Sequence, residues 1–240
     1  MSKKAYQRIL LKLSGEALMG EQKFGVDPIA CRKIATEIHE LCRLQVQVGV
    51  VIGGGNIFRG VKGIRAGMEQ TPADHIGMLA TLINGISLQQ ACESIHCESR
   101  IMSAISCDVM AEPYSWKNAL KYLNQGIVLI FVGGTGNPYF TTDSAAAMRA
   151  LEIRAEIVMK GTKVSGVYNK DPLKYPDAKK FDRVSYNEVL ASQLQVMDAT
   201  AIALCREHRL PICVFNIFDE GAMKRAVLNE PVGTLVEEVT

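Results

Sequence analysis

The sequence predicts an α/β fold with a mostly parallel central sheet sandwiched between helices. Three observations lead there. Short apolar runs alternate with longer amphipathic stretches, the pattern of repeated strand–helix–strand units. The runs are almost continuously apolar, as strands buried on both faces must be. Glycines gather where several of these runs end, on what would be one edge of a parallel sheet.

Taken in order, residues 8–13 (Arg-Ile-Leu-Leu-Lys-Leu) read as the first strand. A helix follows over 28–44, with Asp27 as its N-cap and Pro28 at the first helical position. Residues 46–52 form a second strand, and a polar stretch leads to a long helix over 72–93. The third strand spans 100–105, a short helix 115–124, and the fourth strand 126–132. Thr142 or Asp143 caps a helix running to about residue 153, and a fifth strand occupies 156–160. Residues 163–167 suggest a hairpin with Tyr168 and its neighbours. Residues 170–183, with Pro172 and Pro176, read as an exposed loop. Helices over 186–194 and 198–208 precede a strand at 211–215 and a final strand at 233–236. Neither a repeat nor a linker divides the chain, so one domain over 1–240 is expected. A soft boundary falls near Lys160, between an N-lobe of about 1–155 and a C-lobe of about 156–240.

Composition narrows the function. The chain of 240 residues is 48% hydrophobic and 22% charged, enough to bury a sizeable core. A net charge of +2, without a basic tail or stripe, argues against a nucleic-acid partner. Seven cysteines lack C-x-x-C spacing and fall in apolar segments, as small buried hydrophobes of a reducing cytoplasm do. The four histidines form no metal-ligand pattern. The opening Met-Ser-Lys-Lys-Ala-Tyr runs straight into strand-like sequence without a signal-peptide core, and no apolar run approaches a membrane span. A cytoplasmic protein with no membrane association is expected.

The glycine positions carry the functional argument. The first strand exits through Lys12-Leu-Ser-Gly15, the second through Gly53-Gly-Gly-Asn56, and the fourth through Gly133-Gly-Thr-Gly-Asn137. Loops with little side-chain bulk let backbone N–H groups approach an anion, and the helices beyond them aim positive ends at the same crevice. A phosphate-binding edge follows. It is not a P-loop, because G-x-x-x-x-G-K-[ST] does not occur. Nor is it a Rossmann dinucleotide site, because Phe58 and Tyr139 stand where a third glycine should be.

Phosphoryl transfer asks for positive charge on the moving group, Mg²⁺ and in-line placement. Lys12 at the first strand's exit and Arg59 beyond the second supply charge, Arg59 as a planar fork suited to phosphate oxygens. Asp143 can orient lysines or help hold a metal. Lys160 and Lys163, flanking Gly161-Thr162, both stand where they can reach phosphates. Residues 135–142 offer hydroxyls, an amide and two aromatic rings, a mix suited to a ribose and a base edge. Asp74, near the start of the long helix, suits ribose hydroxyls or a base. Asp171-Pro172 reads as a turn and a candidate adenine-side ligand.

Four segments, 12–17 (KLSGEA), 53–60 (GGGNIFRG), 134–143 (GTGNPYFTTD) and 160–167 (KGTKVSGV), resemble the bacterial uridylate (UMP) kinases of the amino acid kinase superfamily. The likeness runs from about Ile9 to Val236, and the 134–143 stretch is its most specific part. The resemblance implies Mg²⁺-dependent transfer of the ATP γ-phosphate to UMP, with the metal carried by ATP rather than by a protein site. It implies a homohexamer, activation by GTP and inhibition by UTP. By matching position, Lys12, Leu13, Ser14 and Gly15 would line the ATP phosphates, joined by Gly55 and Arg59. Gly54, Asp74 and the run Thr135, Gly136, Asn137, Pro138, Tyr139, Phe140, Thr141 and Thr142 would hold UMP. Thr162, Tyr168 and Asp171 would hold the ATP nucleoside. Gly20, Glu21, Gln22, Lys23, Phe24 and Gly25 match the segment used in the GTP response. Ser165 departs from the Asp common at its place. Two other readings compete: a carboxylate kinase of the same superfamily making an acyl phosphate, and a non-catalytic nucleotide-binding regulator.

Overall fold

Strand β1 (Arg8–Leu13) lies at the middle of the sheet because both of its faces are apolar: Ile9, Leu11 and Leu13 enter one core cluster and Leu10 the other. In this computed structural model, which describes residues 6–228 and 230–238, every other element is arranged around it. The residues ahead of Tyr6, read above as leading into the first strand, lie outside the described residues.

Helix α1 (Pro28–Arg43) starts as expected, with Asp27 accepting from the Ile29 N–H at 3.0 Å. It returns the chain to β2 (Gln47–Ile52), parallel to β1. A short helix α2 (Gly60–Arg65) and the long α3 (Gln70–Glu93) follow. Helix α3 begins two residues earlier than the sequence suggested, and Pro72 sits inside its first turn, where a missing N–H costs nothing. Then come β3 (Ser99–Ser103), β4 (Glu112–Pro113), α4 (Trp116–Asn124), β5 (Val128–Val132) and α5 (Thr142–Glu152). The second half holds β6 (Ile157–Thr162), β7 (Arg183–Ser185), α6 (Tyr186–Ala191), α7 (Ala199–Glu207), β8 (Ile212–Asn216), α8 (Ala222–Val227) and β9 (Thr234–Glu237).

One nine-stranded sheet runs through both halves in the order β4-β3-β5-β2-β1-β6-β8-β9-β7. All neighbours are parallel except β8 and β9. Helices α1, α3 and α8 cover one face, and α4, α5, α6 and α7 the other, each sealing its own core cluster. The expected parallel sheet between two helical layers is therefore present. Five of the seven cysteines are buried and all seven are free thiols; burial pushes the thiols of Cys205 and Cys213 up to about 12. Among the described residues no helix is long and apolar enough to cross a membrane.

Three local expectations are corrected, and one helix is added. The cap of α5 is Thr141, not Thr142 or Asp143: its hydroxyl accepts from the Asp143 N–H at 3.0 Å. Residues 163–167 form no hairpin strand; instead Tyr168 makes a single antiparallel bridge to Lys180. Arg183, placed above at the end of the exposed loop, instead opens edge strand β7. Helix α8, six residues long and capped by Gly221 without a side-chain bond, is too short to show a period in the sequence.

Candidate active site

The carboxyl ends of β1, β2, β5, β6 and β8 share one edge, as their parallel pairing requires. The three glycine loops therefore converge. The turn after β1 is held against the loop after β2 by the Gly53 N–H bond to Leu13 O, 2.9 Å. Gly15 allows this approach: a Cβ there would lie 2.2 Å from Asn56 Oδ1 and 2.6 Å from Gly53 O.

A reciprocal amide pair braces the β2 loop from below. Asn84 Nδ2 donates to Gly53 O and to Asn56 Oδ1, each at 2.7 Å, and Asn56 Nδ2 donates back to Asn84 Oδ1 at 2.9 Å. Asn56 Nδ2 also reaches Gly25 O at 2.8 Å, and the Gly25 N–H returns a bond to Asn56 O. Residues 20–25 are thus stitched to the glycine loop at Gly25, while Phe24 is exposed to solvent. Thr81 does the same for the β5 loop, accepting from the Gly133 N–H at 2.8 Å. Asn56, Thr81 and Asn84 are buried polar residues that the sequence reading passed over. Their signal was Thr81 and Asn84, polar positions three apart in an otherwise apolar stretch of helix.

Between these loops and α3 opens a cleft of about 160 Å³. Gly54, Gly55, Asp74, Thr135, Phe140, Thr141 and Thr142, all singled out above, line it together with Phe58, Met78 and Thr81. Gly54 must be small because a Cβ would press on Ala80 Cβ and Gly77 O, both at 2.8 Å. Asp74 accepts from the Tyr139 N–H at 2.8 Å and from Gln70 Nε2, so it pins the 135–142 loop across the cleft. Tyr139 holds a left-handed backbone, φ 71°, and with Gly136, Asn137 and Pro138 it stands outside the cleft lining.

Beside the cleft sits a charge cluster. Lys12 and Lys160 are register partners on β1 and β6 and project from the same face. Two ammonium groups so placed repel, and Asp143 from the first turn of α5 resolves this by lying between them. Its Oδ1 is 2.6 Å from Lys12 Nζ, a charge contact off the hydrogen-bond direction, and its Oδ2 accepts from Lys160 Nζ at 2.9 Å. All three side chains are at most 15% exposed. Burial works against the Asp143 carboxylate, but Lys12 and then Lys160 outweigh it and hold its pKa below the ordinary value. Burial and the neighbouring Lys12 lower the pKa of Lys160, against the opposing pull of Asp143. Capping by Thr141 is what leaves Asp143 free for this task.

Asp198 supports the cluster and was read in the sequence as no more than the start of a helix. It caps α7 through the Ala201 N–H at 2.8 Å, and it accepts from Ser144 at 3.1 Å and from Thr141. The amino ends of α5 and α7 are thereby locked together. Lys160 Nζ also donates to Val196 O, two residues before that cap.

Toward solvent lies a second charged group. Glu16, in the turn after β1, pairs with Lys163 at 2.7 Å and with Arg59. The Lys163 hydrogen bond, against the cost of burial and with help from Arg59, lowers the Glu16 pKa. Lys160 and Lys163 therefore face different partners, one buried on Asp143 and the other half-exposed on Glu16. Leu13 and Ser14 fill structural places, Leu13 in the core and Ser14 capping the turn through the Glu16 N–H. Thr162 bonds Val164 O at 2.7 Å at the exit of β6. Tyr168 and Asp171 stand further along the following loop, where Asp171 accepts from the Leu173 N–H at 3.0 Å.

A glycine-lined cleft against a pair of lysines held by one carboxylate, at the carboxyl edge of a parallel sheet, has the chemistry with which phosphoryl groups can be held and moved. Comparison with known proteins agrees. Residues 7–216 match the model of the amino acid kinase family, and the chain belongs to that family. Within it, the chain stands with the uridylate kinases, and it is an enzyme of the phosphotransferase class. It is 56% identical over 234 residues to the uridylate kinase of Protochlamydia amoebophila, covering 97% of this chain and 93% of that one. It is 52% identical to the uridylate kinase of Vibrio cholerae, with 99% and 98% covered. The UMP kinase structure from Bacillus anthracis superposes with a TM-score of 0.94 at 38% identity, covering 98% of this chain and 97% of that chain.

Proposed function

We propose that this enzyme transfers the γ-phosphoryl group of ATP to UMP, yielding ADP and UDP in pyrimidine nucleotide synthesis. The observation that carries this reading is the Lys12–Asp143–Lys160 cluster standing beside a cleft lined by Asp74 and residues of the 135–142 loop.

The chemistry needs no general base. A nucleoside monophosphate carries a phosphate with a second pKa of about 6, so its oxygen is already anionic at neutral pH. The obstacle is repulsion between two polyanions, and Lys12 and Lys160 offset it where they face both. Asp143 keeps the two ammonium groups in place with both of its oxygens engaged, so it is poorly disposed to bind a metal. That donor set fits Mg²⁺ arriving on the ATP phosphates, where it would neutralise charge on the transferring group.

On this reading the N-lobe, about 1–155, binds the acceptor and the C-lobe, about 156–240, binds ATP. Gly54, Asp74 and residues 135–142 hold UMP. Lys12, Leu13, Ser14, Gly15, Gly55 and Arg59 surround the donor phosphates, and Thr162, Tyr168 and Asp171 the nucleoside. The enzyme works in the cytoplasm as a homohexamer, activated by GTP through residues 20–25 and inhibited by UTP. Support for self-association comes from α3, whose Ile76, Leu79, Ile83 and Ile86 form an exposed apolar stripe at helical spacing. Support for the effector segment comes from its bonds to Asn56, which link residues 20–25 to the glycine loop.

The test is ADP release with ATP and Mg²⁺ across a panel of nucleoside monophosphates and carboxylates, with and without GTP. UMP is expected to be strongly preferred, since a site that pairs its buried polar groups with one base edge rejects others. Turnover with an amino acid, trapped as hydroxamate, or tight UMP binding without turnover would refute the proposal.

A further inference from the structure

Glu16 is a carboxylate where phosphates are expected. It sits on the turn after β1, and because β1 lies between β2 and β6, that turn is flanked by the exits of both strands. Arg59 comes to it from the β2 side and Lys163 from the β6 side. Two cations from separate loops thus converge on one small anion, which is how a bound phosphate oxygen would gather them. Arg59 is fixed further by Nε donating to Gly55 O at 3.2 Å. The buried cluster differs, since Lys12 and Lys160 share the single carboxylate of Asp143 out of solvent.

The two Glu16 pairs differ from the Asp143 pairs in exposure. Arg59 and Lys163 are 49% and 53% exposed, against 10% and 15% for Lys12 and Lys160. Half-exposed ion pairs are screened and contribute little to stability. A nucleoside triphosphate, with several charges and more oxygens, outcompetes a single carboxylate for the same cations.

We propose that Glu16 is a positioning residue, an internal stand-in for phosphate that holds Arg59 and Lys163 over the donor mouth and yields them to the nucleotide's phosphates. It rests on the donor-site reading above. A carboxylate in this role opposes binding of the polyanion and, by holding the two cations in place until the phosphates take them, sets the arrangement in which those phosphates are received. Removing its charge then acts in opposite directions on affinity and turnover, a split that a merely structural ion pair does not produce.

The experiment uses Glu16→Gln in the full-length enzyme, with inorganic tripolyphosphate as the binding probe in calorimetry. Tripolyphosphate is expected to bind ~3- to 10-fold tighter than to wild type, because the competing anion is gone. With ATP and UMP, KM for ATP is expected to fall while kcat drops about 10-fold. Glu16→Asp, which keeps the charge, should return tripolyphosphate affinity toward wild type. In an Arg59→Met/Lys163→Met background, Glu16→Gln should no longer tighten tripolyphosphate binding. Unchanged or weaker tripolyphosphate binding in Glu16→Gln, or unaltered kcat, would overturn the proposal. Circular dichroism checks that each variant is folded, and Glu16→Ala, which also removes the charge, carries the same expectations if Glu16→Gln does not fold. The binding arm involves no acceptor, so it stands even if wild-type enzyme makes no UDP, an outcome that would refute only the acceptor assignment.

Discussion

On the α3 side of the crevice the ligand-facing surface is mostly backbone and neutral side chains, set in place by Thr81 and the Asn56–Asn84 pair. Elsewhere in the crevice it is charge, with Lys12 and Lys160 around Asp143 at the amino end of α5 and, toward solvent, Arg59 and Lys163 around Glu16. On the proposed function, the first surface selects by shape and by which polar edges it can satisfy, and the second acts on any polyanion, at the place where charge develops. Substitutions on the two sides should therefore separate, those near α3 altering acceptor affinity and those near α5 altering turnover.

The largest expected effect is on the charged side. Lys12→Ala should lower kcat by about 10²–10³, the usual cost of removing one preorganised electrostatic group. The fold should survive, because the side chain belongs to neither apolar cluster and Lys160 still pairs with the Asp143 carboxylate. Steady-state rates with a circular dichroism control test this, and near wild-type turnover would abolish the distinction drawn above.

On the shape-selecting side the corresponding break is Gly15→Ala. The new methyl would sit 2.2 Å from Asn56 Oδ1, and that amide cannot retreat without losing its bonds to Asn84 and Gly25. Overpacking of this kind costs ~1–3 kcal/mol. Urea unfolding should show the loss, and an unchanged midpoint would mean that the loop relaxes freely.

How much of this was legible in the sequence follows the same division. The strands β1, β2 and β5 and helices α1 and α3 announced themselves through long apolar runs and capping residues. Lys12, Arg59 and Asp143 were visible because a charge beside a glycine-rich strand exit has few other reasons to be there. What stayed hidden depends on contacts distant in sequence. Asp198 carries no mark beyond a helix cap, yet it meets Thr141 and Ser144, 57 and 54 residues away. Glu16 sat in full view within the 12–17 segment, but its meaning needed Arg59 and Lys163 to arrive from beyond two other strands. Short edge strands β4 and β7 lack the length for a period of two to register.

Asp74→Ala sharpens the comparison, since it is a carboxylate on the shape-selecting side whose bond reaches across the cleft. Losing the Tyr139 anchor should raise KM for UMP by about 10-fold, in the range of one charge-assisted hydrogen bond, with KM for ATP nearly unchanged. If KM for ATP rises instead, the acceptor and donor assignments are exchanged.

The smallest effect is one of pH, and it belongs to the charged side alone. Burial would raise the Asp143 pKa, but Lys12 and Lys160 outweigh it and hold the folded value below that of an unfolded carboxylate. The folded state then binds fewer protons than the unfolded state in the window below about pH 4, so stability falls as pH drops through it. Above that window the contribution is fully present. Asp143→Asn lacks the contribution at every pH and takes from two buried lysines the carboxylate they share, so it should melt lower than wild type at neutral pH. The gap in melting temperature should stay level from about pH 7 to about 5 and narrow as the pH falls below about 4, closing once it passes below the lowered folded pKa of Asp143. It closes because the protonated carboxyl of wild type and the amide of the variant are both neutral neighbours for the lysines. A gap that persists unchanged at the acid end would show that the carboxylate's ionisation is not what holds Lys12 and Lys160 together.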